Sequence, residues 1–111
     1  MAYRVAVTST DGKVVNQHFG HTEQFLVFEV RAEGDFRFLE ARKTKPPCSF
    51  GEHDQSMLEE AADLISDCRY VLCSQIGKGA WELLRERGIQ AFAIKGYIEE
   101  ALDQLWVQKS N

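Results

Sequence analysis

The chain has 111 residues, the size of one domain, and its 44% hydrophobic and 27% charged residues are a globular composition. This excludes a disordered tail, a collagen-like repeat and a disulfide miniprotein, and no apolar run approaches the roughly 20 residues of a membrane helix. The formal net charge of −4 lacks the basic face of a general nucleic-acid binder, so neither nucleic acid nor membrane is expected as a partner.

The opening Met-Ala-Tyr-Arg-Val runs straight into a strand-like segment. No signal peptide is expected, and a reduced, cytoplasmic compartment is. Tyr3 to Thr8 is nearly all apolar, as in a strand covered on both faces. After a polar loop, Gln24 to Arg31 is rich in Phe and Val and predicts a second strand. Glu33-Gly34-Asp35 is turn chemistry and implies a hairpin. The third strand, Phe36 to Lys43, mixes apolar with charged residues, as an edge strand should.

Pro46-Pro47 punctuates the chain, and the second half alternates helix with strand. Asp54 is a good N-cap for a helix whose stripe is Met57, Leu58, Ala61, Leu64, Ile65 and Cys68. Tyr70 to Ser74 predicts a short buried strand. Ala80 to Arg87 predicts a helix with Trp81 and Leu84 on one face and Gly88 as its left-handed terminator. Ile89 to Lys95 predicts the last strand. Ile98, Ala101, Leu102, Leu105 and Trp106 trace a final amphipathic helix, with Leu102 and Trp106 in its buried stripe. An antiparallel meander followed by right-handed crossovers gives a single α/β domain over residues 1–111. Its mixed five-stranded sheet has the order 3-2-1-4-5, strands numbered along the chain, with helices on both faces. This is a ribonuclease H-like architecture.

That architecture often carries metal-dependent nucleases, which need acids projecting from the sheet to hold Mg²⁺. Val5-Ala6-Val7 has none, and Asp11 lies beyond the strand in a turn. Chemistry is expected instead in the crevice at the carboxyl ends of the first and fourth strands, the usual ligand site of open α/β sheets. The loop after the first strand holds His18-Phe19-Gly20-His21, and two imidazoles in a polar loop suit iron, zinc, copper or nickel. The alternative is that one histidine caps a turn and the other is simply exposed. Cys48 and His53, five apart with Pro47 before and Gly51 between, form a plausible soft-metal pair or an exposed thiol on a surface loop. Cys68 reads as core, and Cys73 as packed but close to the crevice. Gly77-Lys78-Gly79 precedes a helix whose N-terminal amides favour an anion.

Val15-Asn16-Gln17-His18-Phe19-Gly20-His21 followed by Phe25-Leu26-Val27 resembles the signature of the nitrogenase cofactor-biosynthesis family that includes NifX and the C-terminal domain of NifB. Asp67 to Gly77, Gly88-Ile89 and Ile98 to Ala101 resemble the same family, so the resemblance covers essentially the whole chain. It implies a ribonuclease H-like fold and a non-catalytic, cytoplasmic protein that binds an iron–sulfur cluster. The cluster would be the iron–molybdenum cofactor or its precursor, passed between metallocluster donor and acceptor proteins. The matching ligand positions are His18, His21 and, less closely, Cys48. His53 and Gly77 are further contributors. The chain lacks the radical-SAM Cys-x3-Cys-x2-Cys motif, so the synthetic chemistry of full-length NifB is not expected of it. A metal- or redox-sensing module using the same loops is one alternative. A thiol-dependent enzyme with Cys48 as nucleophile and His53 or His21 as base is another.

Overall fold

The computed structural model describes residues 2–44 and 55–109. Along the chain these form β1 (Tyr3–Thr8), β2 (Val14–Val15), a 3-10 turn (Phe19–His21), β3 (Gln24–Val30), β4 (Phe36–Lys43), α1 (Gln55–Leu64), β5 (Tyr70–Cys73), α2 (Lys78–Glu86), β6 (Gln90–Ala93), β7 (Gly96–Tyr97) and α3 (Ile98–Lys109). Asp54, the expected cap of α1, lies outside the described residues.

The main sheet runs β4-β3-β1-β5-β6. β1 pairs antiparallel with β3 and parallel with β5, so it is central, and β4 is an edge strand. The alternation of side chains along each strand builds two separate cores, one per face. On one face Ala6, Phe25, Val27, Val71 and Cys73 meet Leu58, Ala61, Ala62 and Ile65 of the α1 segment and Ala80 and Leu84 of α2. On the other, Val5, Val7, Leu26, Phe28, Val30, Tyr70 and Leu72 meet Ile98, Ala101, Leu102 and Leu105 of α3. Each fully buried Leu, Val or Phe stabilises the fold by about 1.5–3 kcal/mol relative to exposure, which is why β1 is apolar on both sides.

Local chemistry sets the ends of the elements. Gly34 takes φ +89° in the β3–β4 hairpin and donates its N–H to Arg31 O at 2.8 Å. Gly88 takes φ +79°, with Gly88 N–H on Arg85 O at 3.0 Å and Ile89 N–H on Leu84 O at 2.9 Å. This is a Schellman ending, sealed by Ile89 and Leu84 in the same core.

Two tryptophans depart from expectation. Trp81 does not share the buried face of Leu84; it is 38% exposed, with the Arg85 guanidinium 5.5 Å from its ring. Ala80 and Leu84, four apart, form the buried ridge, which turns Trp81 outward. Trp106 is only half-buried, and Leu105 rather than Trp106 joins Leu102 in the interior. Its indole lies against the hairpin at Gly34 instead. A two-stranded ribbon of β2 and β7 also forms, registering Val14 with Tyr97 and Val15 with Gly96. Two-residue strands carry too little periodicity to be read from sequence.

Candidate functional site

The loop after β1 is not free. Asn16 N–H donates to Thr8 O at 3.3 Å, and Thr8 Oγ1 donates to Gln17 O at 2.8 Å. Ser74 N–H then donates to the same Gln17 carbonyl at 3.0 Å, and Phe19 N–H to Gln75 O at 2.9 Å. Gln17 to Phe19 therefore lies beside Ser74-Gln75, continuing the parallel pairing past the end of β5. The histidine loop, read from sequence only as polar, is pinned: four hydrogen bonds fix it to the sheet.

Phe19 is 1% exposed and its ring lies 5.7 Å from that of Phe25. This apolar anchor holds the 3-10 turn, and the two histidines flank it. His18, half-buried, is the N-cap: its Nδ1 accepts the Gly20 N–H at 2.8 Å. His21 N–H returns to His18 O at 2.9 Å. The His21 side chain is exposed, and its ring lies 4.8 Å from that of His18, tilted by 32°. The rings are thus adjacent and inclined to each other, not perpendicular.

His21 borders an open cavity of about 540 Å³, whose wall also includes Ser9, Thr10, Gln17, Glu23 and Lys43. Several of its polar groups are committed to the fold. Ser9 Oγ accepts from Gly12 N–H at 3.0 Å, Thr22 Oγ1 donates to Gln24 O at 2.7 Å, and Gln24 Nε2 donates to Ser9 O at 3.1 Å. The exposed charges at the rim are Lys43 and Glu23, one of each sign. Asp11 lies outside this wall and serves its own turn. Its carboxyl is held below the usual range by the backbone N–H groups of Lys13 and Val14.

The remaining sequence candidates fall in different places. Cys48 and His53 lie outside the described residues. At this rim Lys43 lines the cavity and Thr44 N–H donates to Glu23 O at 2.9 Å. Gly77 caps α2 without a side-chain hydrogen bond, and a Cβ there meets nothing within 4 Å. It stands two residues past Gln75 but outside the cavity wall. Cys68 and Cys73 are 3% and 0% exposed. Burial pushes both thiols up to about 12, with the Asp67 charge adding to the effect at Cys68. Cys73 faces the α1–α2 core, its Sγ 3.7 Å from Phe92 O, rather than the crevice. Among the described residues, no three His, Cys, Asp or Glu side chains are grouped to hold a metal ion.

Sequence reasoning missed Thr8, Gln17 and Ser74-Gln75 as the ties of the histidine loop, and Lys43 and Glu23 as its rim. The one available signal was Thr8, a hydroxyl closing an otherwise apolar strand. Backbone carbonyls leave no trace in residue identity.

A family model described as dinitrogenase iron-molybdenum cofactor matches residues 1–108. The FeMo cofactor biosynthesis protein NifB of Frankia alni is 38% identical over 104 residues, which cover 91% of this chain and 20% of that protein. NifB of Sinorhizobium fredii is 36% identical over 104 residues, covering 92% and 21%. The chain thus spans about a fifth of the length of these relatives. Among solved structures, PH0822 superposes with a TM-score of 0.70 at 23% identity, covering 96% of this chain and 92% of that one. A Thermotoga protein solved by NMR superposes at 0.62 with 20% identity, covering 93% and 86%. These two similarities concern the fold. The match along residues 1–108 settles the relationship: the chain belongs to the dinitrogenase iron-molybdenum cofactor family.

Proposed function

We propose that this chain acts in iron–molybdenum cofactor biosynthesis as a non-catalytic carrier that holds an iron–sulfur cargo and passes it between donor and acceptor proteins. The observation that carries the reading is the pair of adjacent imidazoles, His18 and His21, on a pinned turn beside an open polar cavity. The names of the NifB relatives supply the pathway. Cys48 is proposed as the thiolate ligand, with His53 and the α2 amides at Gly77 as further contacts. Cys48 is five positions past Lys43 on the rim, an extended reach of up to about 17 Å. Incomplete thiolate ligation favours release, whereas a full set of four cysteines is the ligation of a resident cluster.

An enzymatic thiol is disfavoured at Cys68 and Cys73, where burial keeps both protonated at neutral pH. The ribonuclease H-like assignment belongs to the same proposal. It is supported by three antiparallel strands continued by two parallel ones, with α1 and α2 on one face and α3 on the other. We further propose a cytoplasmic location; no described helix is long and apolar enough to cross a membrane.

The test is anaerobic titration with a synthetic four-iron four-sulfur cluster, following visible absorption. The parent takes up cluster. Cys48→Ala weakens uptake more than either histidine change, because thiolate is the softest donor available. If Cys48→Ala, His18→Ala and His21→Ala all load as the parent does while folded, the proposed ligand set is wrong. If the parent takes up nothing, the carrier reading falls and a sensor or a Cys48-dependent enzyme replaces it.

A further inference from the structure

The two edges of the sheet are built differently. β4 carries Arg37, Glu40, Arg42 and Lys43, and its register with β3 shifts between Val27 and Phe28. Charges and an irregular register are how an edge strand resists pairing with another chain. β6, at the other edge, is Gln90-Ala91-Phe92-Ala93, with no charge, no proline and an unbroken register on β5. Gln90 N–H donates to Arg69 O at 3.1 Å and Ile94 N–H to Cys73 O at 2.9 Å. Main-chain groups alternate in direction along a strand, so residues 90, 92 and 94 face β5. The N–H and C=O groups of Ala91 and Ala93 therefore face outward, and no described strand pairs with them.

Beside this edge α2 leaves a trough of about 470 Å³, lined by Trp81, Arg85, Gly88, Ile89, Gln90 and Ala91. Ala91 belongs to the core under α2, so Ala93, two residues on, points to the same side. Two alanines leave open the room that larger side chains would fill. Trp81 is exposed, and the Arg85 guanidinium lies 5.5 Å from its ring centre with no ion pair to a described carboxylate. Tryptophan and arginine are the side chains on which interface energy concentrates.

We propose that the β6 edge and this trough form a docking site for an extended segment of a partner protein. The segment extends the sheet by bonding to Ala91 and Ala93, and it sets a large apolar side chain against Trp81. A carboxylate two residues away, on the same face of the segment, pairs with Arg85. Charge disfavours a second copy of this chain as the occupant. Antiparallel pairing of Ala91 with Ala93 of a second copy would set Ile89 opposite Lys95, bringing that ammonium to the Arg85 end of the trough. The site shares no lining residue with the cavity at His21, so it stands apart from whatever the histidine turn holds.

The experiment pans a phage-displayed library of random peptides of about ten residues against the parent chain. A synthetic copy of the enriched peptide is then titrated by fluorescence anisotropy and by amide shifts of the ¹⁵N-labelled protein. Enriched sequences carry Asp or Glu two positions from a large apolar residue, and the amide shifts centre on Ala91 to Ala93. Ala93→Pro removes an outward N–H and no ladder bond. That variant, Trp81→Ala and Arg85→Glu each weaken binding by about tenfold or more, while each keeps the cooperative urea transition of a folded chain. The amide shifts of the parent answer the same question without any variant. The proposal is overturned if no sequence is enriched, or if the shifts fall away from β6 and α2. It is equally overturned if a Lys-for-acid peptide binds as tightly, or if folded Ala93→Pro binds as the parent does. A parent dimer that Ala93→Pro dissociates would hand the edge to a second copy instead.

Discussion

Asp67, between α1 and β5, joins three parts of the chain. Arg42 of β4 reaches it with both guanidinium nitrogens, at 2.6 and 2.9 Å, and Arg4 of β1 donates to it as well. Arg42 also donates to Leu64 O at 2.9 Å, clamping the edge strand to the end of α1. The Arg42 hydrogen bond is the largest influence on Asp67. It outweighs the opposing effect of burial and, with Arg4, holds the carboxyl well below the usual carboxylate range. Asp67→Asn removes the charge while nearly keeping the shape. Charge-assisted hydrogen bonds contribute about 1.5–3 kcal/mol when shielded. The Asp67 side chain is 38% exposed against 14% for Arg42, so solvent screens part of that. We expect a loss of about 1–2 kcal/mol, which at a urea slope of about 1.5 kcal/mol/M shifts the midpoint by about 1 M. The pH dependence has a defined sign. A carboxyl lowered on folding stabilises the native state above its unfolded value of about 3.9 and stops doing so as pH falls through the lower folded value. The difference between parent and Asp67→Asn is therefore full at pH 6 and shrinks steadily below about pH 4. Urea melts of both proteins between pH 7 and pH 2.5 provide the assay. A difference under about 0.3 kcal/mol at pH 7, or one that grows on acidification, would refute the clamp.

Three further outcomes follow from packing. Gly34→Ala costs about 2 kcal/mol or more, because it strains a φ of +89° and drives a Cβ to 2.7 Å from Trp106 Nε1. In a Trp106→Ala background that cost falls to about 1 kcal/mol, the backbone part alone, as a double-mutant cycle in urea would show. Trp106→Ala alone costs about 2 kcal/mol, less than the 3–5 kcal/mol of a fully buried aromatic, since the indole is only half-buried; a loss above 4 kcal/mol would place it in the core after all. Tyr3→Phe is neutral or stabilising by up to about 1 kcal/mol, because the buried Tyr3 hydroxyl has no hydrogen-bond partner among the described residues; a thermal melt showing clear destabilisation contradicts this.

What the sequence revealed and what it concealed divide by the range of the interaction. The stripe from Leu58 to Cys68, the Gly34 hairpin and the Gly88 terminator depend on neighbours a few residues away, and each could be read directly. The outward turn of Trp81 and the half-burial of Trp106 depend on which ridge of a helix meets the sheet. Helical spacing narrows that choice to a face but does not fix its edges. The β2–β7 ribbon joins residues about eighty apart in sequence and has no local signal. The histidine loop was conspicuous as residue types. Its rigidity was not, because it comes from backbone groups of Gln17, Phe19, Ser74 and Gln75.

A carrier must hold its cargo and also give it up. The most direct test loads the parent chain with a four-iron four-sulfur cluster, passes it through an anaerobic desalting column, and offers it to an apo-ferredoxin. The acceptor's cluster absorption is then followed with and without an iron chelator present. Cluster is expected to stay on the chain through the column and to move to the acceptor at a rate the chelator does not change. Iron lost on the column, or transfer abolished by the chelator, would contradict it.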